Sequence, residues 1–201
     1  MKIVLATRNR KKVEEFQRVL VGAPLQLLDL RGYPDAPEVV EDGTTFTENA
    51  VKKALQVARF TGLPALADDS GLEVDALGRR PGVLSARYAG PGAKDRQNLE
   101  RVLVELGECP ELERTARFVC VLAVADASGQ TQTFEGVVEG RIARTPQGEN
   151  GFGYDPVFVP EGEGRSFAEM SPAEKDALSH RGRAVARFVA ALHGHVGPVL
   201  A

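Results

Sequence analysis

The stretch Lys2-Ile3-Val4-Leu5-Ala6-Thr7-Arg8-Asn9-Arg10-Lys11-Lys12-Val13-Glu14-Glu15-Phe16 decides how this chain begins to fold. Residues 2–6 read as a buried strand. Val13, Phe16 and Leu20 then recur at the spacing of one helix face, which predicts a helix from about Arg10 to Val21. Strand, polar loop and helix form the opening unit of an α/β protein.

Further units follow outward from it. Thr44 or Thr45 can cap a helix whose apolar stripe is Phe46, Ala50, Ala54 and Val57, with Gly62 and Pro64 as stop signals. A short strand, Ala65 to Ala67, is expected to end at Asp68 and Asp69, where Ser70-Gly71 allows a tight turn. Asp95 is placed as the cap of a helix carrying Leu99, Val102, Leu103 and Leu106. Phe118 to Ala125 and Gln130 to Val138 read as strands joined by a hairpin turn at Asp126-Ala127-Ser128-Gly129. Ser171-Pro172-Ala173-Glu174 is a capping box, and Ser179 can cap a last helix through Val185, Phe188, Val189 and Leu192. The class is α/β with a mixed sheet. No repeat or linker divides residues 1–201, so one domain is expected.

Composition narrows the possible functions. The chain has 201 residues, 43% of them hydrophobic and 26% charged, and a formal net charge of -3. It lacks the broad basic excess that nucleic-acid binding demands, so an anion must be captured locally. Cys109 and Cys120 make no disulfide framework, which points to a reducing interior. The first apolar run is too short for a signal peptide, and no stretch reaches the length of a membrane span. A soluble cytoplasmic protein is the expectation, with no nucleic-acid or membrane partner.

Four segments carry chemistry. At Thr7 to Lys12 a strand delivers a polar loop onto a helix start, where backbone N–H groups, the helix dipole and the cations Arg8, Arg10, Lys11 and Lys12 favour phosphate. Taken alone, those charges equally suit a solvated helix face, and the glycines of a Walker A loop are missing. Asp68-Asp69 suits a divalent cation such as Mg2+, which takes one or two carboxylates. If both stay extended their side chains point to opposite faces. Asp-Asp-Ser-Gly is also ordinary turn chemistry, and Glu41-Asp42-Gly43 is a further acidic patch. Gly148 to Pro156 surrounds Phe152 and Tyr154 with glycines, a composition that lets backbone approach a planar ligand. Ser179-His180-Arg181, with Lys175 before it, gathers cationic donors at a helix start.

Together and in this order, these segments resemble the inosine triphosphate pyrophosphatase family, hydrolases of non-standard purine nucleoside triphosphates. Family members carry a Ser/Thr-Gly-Asn-x-x-Lys loop, Ala-Asp-Asp-Ser-Gly-Leu, Gly-Phe-Gly-Tyr-Asp-Pro and a late Ser-His-Arg. The matching segments are Thr7 to Lys12, Ala67 to Leu72, Gly151 to Pro156 and Ser179 to Arg181. Pro81-Gly82-Val83 and Ser85-Ala86-Arg87-Tyr88 also match, and the likeness runs from Lys2 to about Leu192. Two departures are Arg8 where glycine is usual and Val40 beside Glu41, where some relatives have two acids.

The resemblance implies a long mixed β-sheet flanked by helices, two lobes with a central cleft, and a homodimer. It also implies Mg2+-dependent hydrolysis of ITP, dITP or XTP to the monophosphate and pyrophosphate. Carried over residue by residue, Thr7, Arg8, Asn9, Arg10, Lys11 and Lys12 would hold phosphates, with Asn9 and Lys12 foremost. Asp69 would be the catalytic acid, acting as base or metal ligand, with Glu41 a further ligand. Ser70 would contact substrate, and Phe152 would stack on the base. Gly153, Tyr154, Asp155, Lys175, His180 and Arg181 would line the nucleoside pocket with it.

Overall fold

A computed structural model of the protein describes residues 1–194 and 199. β1 (Lys2–Leu5) leads through a short loop to α1 (Arg10–Val19), and β2 (Gln26–Asp29) and an irregular segment precede α2 (Phe46–Thr61). Next come β3 (Ala65–Val74), the two-residue β4 (Arg80–Pro81), a 3-10 segment over Gly82–Arg87 and α3 (Asp95–Leu106). β5 (Thr115–Ala125), β6 (Thr131–Ile142), β7 (Phe158–Pro160), α4 (Pro172–Leu178) and α5 (His180–Gly194) complete the chain. The strands form one mixed seven-stranded sheet in the order β2-β1-β3-β5-β6-β7, with β4 paired to β3 off this path. No helix among the described residues is long and apolar enough to cross a membrane.

The chain divides into two compact units. Residues 1–69, 120–136 and the chain from 181 onward make the first, and residues 70–119 and 137–180 the second. In the first, β1 pairs in parallel with both β2 and β3, and Leu5 stands opposite Leu66. This register explains how two segments far apart in sequence meet. The residues just past Leu5 are the phosphate-loop candidates and those just past Leu66 are the aspartates, so β3 carries the aspartates alongside the carboxyl end of β1, the kind of place where α/β proteins bind ligands. Ile3, Leu5, Phe16, Leu66, Leu122 and Phe188 form the core behind them. The Cys120 thiol belongs to this core and burial pushes it up to about 12, so it behaves as a small apolar group.

In the second unit, β4 is antiparallel to the end of β3 and β7 is antiparallel to β6. Leu72, Val102, Phe118, Phe158, Phe167 and Met170 fill its core.

The expected helices and hairpin are present, with three corrections. β3 does not stop at Ala67 but runs on through Asp68, Asp69, Ser70 and Gly71 to Val74. The segment makes no turn: Leu66, Ala67, Asp68, Asp69, Gly71 and Leu72 are all buried in the extended strand, and the Leu72 N–H finds its partner in Ser85 Oγ at 2.9 Å. The α3 cap is Lys94 rather than Asp95, with Gln97 Oε1 accepting from the Lys94 N–H at 2.8 Å. α1 ends at Val19, two residues early.

α2 shows how local sequence positions site residues. Thr45 Oγ1 accepts from the Glu48 N–H at 3.1 Å and Glu48 Oε2 accepts from the Thr45 N–H at 3.2 Å, closing a capping box. Gly62, in the left-handed region at φ 69°, ends the helix. Its buried face is Phe46, Asn49, Ala50, Lys53, Ala54, Val57 and Ala58, so two polar side chains sit inside the apolar stripe. Thr45→Ala is expected to cost about 1 kcal/mol of stability, read as a lower urea midpoint at unchanged slope.

Candidate active site

In the first unit, β3 delivers two adjacent carboxylates to opposite sides, as an extended backbone requires. Asp68 Oδ2 accepts from Lys12 Nζ at 2.8 Å and from Arg181 Nη2 at 3.1 Å. Arg181 also pairs with Glu15 of α1 and lies 5.7 Å from the Phe16 ring centroid. Burial, the largest single influence on Asp68, works against its ionisation. The charges of Lys12, Arg181 and Lys53 outweigh that penalty and hold its carboxyl well below the ordinary carboxylate range. Burial likewise opposes the charge of Arg181, but Asp68 and Glu15 raise its affinity for the proton.

Asp69 faces α2. Its Oδ2 accepts from Asn49 Nδ2 at 3.0 Å, and Lys53 Nζ is 3.4 Å from Oδ1. The same ammonium donates to Glu41 Oε1 at 2.6 Å. Here burial prevails: it raises Asp69 above the ordinary carboxylate value, and the charges of Lys53 and Lys12 offset it only in part. Lys53 is shifted up, because Asp68, Asp69 and Glu41 overcome its own desolvation. The neighbouring carboxyls of Asp68 and Asp69 are therefore driven in opposite directions, a separation typical of sites where one acid stays ionised and the other exchanges protons.

The donor set suits a hard divalent cation. Glu41 and Asp69 both turn an oxygen toward one ammonium, so a hard cation could take both, and among the described residues no group of three or more His, Cys, Asp or Glu forms a complete cage. Mg2+ usually binds through one or two carboxylates and fills its remaining positions with water and substrate phosphate.

The phosphate loop is less open than its sequence suggests. Asn9 Oδ1 caps α1 by accepting from the Lys11 and Lys12 N–H groups, and Thr7 Oγ1 accepts from the Asn9 N–H at 3.2 Å. These amides are thus already paired within the loop. Arg8, at the usual glycine position, donates to the Ala36 carbonyl at 2.6 Å. Arg10 pairs with Glu14 on the exposed face of α1.

The second unit holds the other constellation. Lys175 Nζ donates to Asp155 Oδ2 at 2.6 Å and lies 4.9 Å from the Phe152 ring centroid. Asp155 Oδ2 also accepts from the Phe152 N–H at 2.8 Å, folding the loop back on itself. Gly151 makes this closure possible: at φ 74° a Cβ there would lie 2.1 Å from Asp155 Oδ2. Tyr154 is buried and donates its hydroxyl to the Ser85 carbonyl at 2.8 Å, so it braces the loop from within. The His180 ring stacks on Phe118 at 4.6 Å and 11°. Ser70 is half-buried on β3.

Residues 3–191 match the Ham1 family over nearly the whole chain. The chain belongs to the Ham1 family. It is similar to the dITP/XTP pyrophosphatase of Geobacter sulfurreducens, 51% identical over 185 residues that cover 92% of this chain and 93% of the relative. It is also similar to the dITP/XTP pyrophosphatase of Syntrophobacter fumaroxidans, 54% identical over 183 residues covering 91% of this chain and 78% of the relative. Among solved structures, that of a HAM1 protein from Coxiella burnetii superposes with a TM-score of 0.88 at 42% identity, covering 96% of this chain and 99% of that one.

Within this Ham1 chain the structure brings Lys12, Asp69 and Glu41 into one charged cluster, and Phe152, Asp155 and Lys175 into another. It pairs Arg181 with the carboxylates of the first unit, whereas the family resemblance sets it beside the nucleoside. Sequence reasoning missed Asn49, Lys53 and Glu15. The first two had a legible signal, since they fall at i+3 and i+7 from Phe46, where an amide and an ammonium interrupt the apolar stripe. Glu15 had none, because its significance comes from Arg181 and the two lie 166 residues apart in sequence.

Asp68→Asn leaves Lys12 and Arg181 without their shared anion and is expected to cost about 3 kcal/mol at neutral pH, measured by urea unfolding. Because the folded carboxyl titrates below its unfolded value of 3.8, its contribution is complete above that pH and fades as pH falls below it. The stability gap between the wild type and Asp68→Asn should therefore narrow from pH 5 to pH 3.

Proposed function

We propose that this protein hydrolyses non-standard purine nucleoside triphosphates, dITP, XTP and ITP, to the monophosphate and pyrophosphate. The observation that carries this reading is the pair of adjacent aspartates with opposed proton affinities, set between Lys12 on one side and Lys53 with Glu41 on the other. The dITP/XTP pyrophosphatase activity for which relatives at about half identity over most of the chain are named supports the substrate class.

The triphosphate belongs with the first unit. Lys12 neutralises developing charge on phosphoryl oxygens, and Asp68, itself fixed by Arg181, holds its ammonium in place. Asp69 orients the attacking water and takes its proton, a role suited to a carboxyl raised by burial. In this cluster the three cations Lys12, Lys53 and Arg181 meet the four carboxyl groups of Glu15, Glu41, Asp68 and Asp69, so an incoming triphosphate finds no net positive charge. Mg2+ held by Asp69 and Glu41 would supply that charge and polarise the phosphoryl oxygens.

The base belongs with the second unit. Phe152 offers its ring for stacking, and Lys175 and His180 bring nitrogen donors. A Lys ammonium only donates, so it pairs with the O6 acceptor of hypoxanthine or xanthine and leaves an adenine amino group without a partner. On the family resemblance, the active form is a cytoplasmic homodimer.

A panel of nucleoside triphosphates, assayed for pyrophosphate with and without Mg2+, tests the reading. Turnover should be greatest for dITP, ITP and XTP and should vanish on chelation. Release of pyrophosphate only from pyrimidine substrates would overturn it. Asp69→Asn should abolish turnover while leaving the free energy of unfolding in urea unchanged to within about 1 kcal/mol. Lys12→Ala should lower kcat/KM by about 100-fold, and an unchanged value would remove Lys12 from the site.

A further inference from the structure

The aromatic loop is secured from outside as well as from within. Gly153, in the left-handed region at φ 62°, donates its N–H to Asp95 Oδ2 at 3.0 Å. The preceding amide, that of Phe152, donates to Asp155 Oδ2 at 2.8 Å. Two successive peptide groups are thus each held by a carboxylate, one from the loop itself and the other from the first residue of α3, 58 positions earlier in the chain.

Phe152 stands between those two peptide planes. The orientation of the plane before its Cα sets φ and that of the plane after it sets ψ, so anchoring both leaves the direction of the Cα–Cβ bond little freedom. The rest of the loop has ties of its own: the Asn150 N–H donates to the Ala168 carbonyl at 3.0 Å, Tyr154 is tied to the Ser85 carbonyl and Asp155 to Lys175. The peptide after Phe152 is held at its carbonyl by the Asp155 N–H at 3.2 Å and at its N–H by Asp95, so loss of the Asp95 contact removes the charge-assisted one of its two anchors and loosens ψ of Phe152 while the rest of the loop stays in place. Local helix chemistry does not explain this contact. The α3 start is served by Lys94 and Gln97, and the Asp95 carboxylate is turned to the loop instead.

We propose that Asp95 is a positioning residue for base recognition, holding the Gly153 amide so that the Phe152 ring presents one face to the purine. This rests on the proposed function, in which Phe152 stacks on the base. Asp95 touches neither base nor phosphate in this scheme, and it acts only through the loop backbone. A charge-assisted bond at an exposed site is expected to be worth a modest factor in affinity.

The test uses the full-length protein with dITP as substrate and inorganic tripolyphosphate, which has no base, as a competitive inhibitor. Asp95→Ala should raise KM for dITP about fivefold, leave kcat within about twofold and leave tripolyphosphate inhibition unchanged. Asp95→Asn keeps an acceptor oxygen and should restore most of the wild-type KM. In a Phe152→Ala background, Asp95→Ala should add no further increase, because both changes act on the same contact. Unchanged KM in Asp95→Ala would overturn the proposal, whether or not the variant loses stability. So would equal KM increases in Asp95→Ala and Asp95→Asn, an equal weakening of tripolyphosphate, or full additivity with Phe152→Ala. Failure of the wild type to release pyrophosphate from any purine triphosphate would instead refute the functional reading beneath it.

Discussion

The buried Asp68 carboxylate, shared by Lys12 of α1 and Arg181 of α5, is the constraint on which the first unit depends. Removing an anion from water is costly, and the cost is recovered only when the opposite charges are close and well oriented. The parallel pairing of β1 with β3 places Lys12 there, and the start of α5 places Arg181. Glu15 completes the arrangement by engaging the second side of the guanidinium. Two helices and a strand from three distant parts of the chain are held to one geometry by a single anion.

That arrangement has a chemical consequence for its neighbour. With Lys12 and Arg181 committed to Asp68, Asp69 receives support only from Asn49, Lys53 and a more distant Lys12, and burial decides its proton affinity. Adjacent residues of one strand thus acquire different roles because alternation sends them to different surroundings. The second unit works by other means. Its loop is shaped by glycines and by carboxylates that capture backbone amides, so an aromatic ring on a connecting segment is presented as definitely as one on a strand.

Much of this was legible in the residues. The alternation of strand and helix segments, the Ser171 and Thr45 caps and the hairpin at Asp126 to Gly129 follow from local rules that tertiary structure did not override. The four chemical segments were visible as well, as was the divergence of Asp68 and Asp69 on the condition that both stay extended. The misreading at Ser70-Gly71 arose because Asp, Ser and Gly favour turns when exposed. Buried within a sheet, the same residues take strand geometry because their backbone groups find partners there. Asp95 was misassigned for a similar reason: a carboxylate at a helix start usually serves the helix, and nothing nearby in sequence announces a loop amide 58 residues away.

The sequence by itself determined the helices, the first strand, the hairpin, the Ham1 membership and the inventory of charged and aromatic side chains, because periodicity, caps and motifs are properties of neighbouring residues. Tertiary structure alone decided the pairings. It joined Lys12 and Arg181 to Asp68, drew Lys53 between Glu41 and Asp69, and set Asp95 against Gly153. Those choices depend on strand register and on the balance between desolvation and nearby charge. Both are fixed only when distant segments pack, since the energy of a buried ion depends on which charges and dipoles surround it in space.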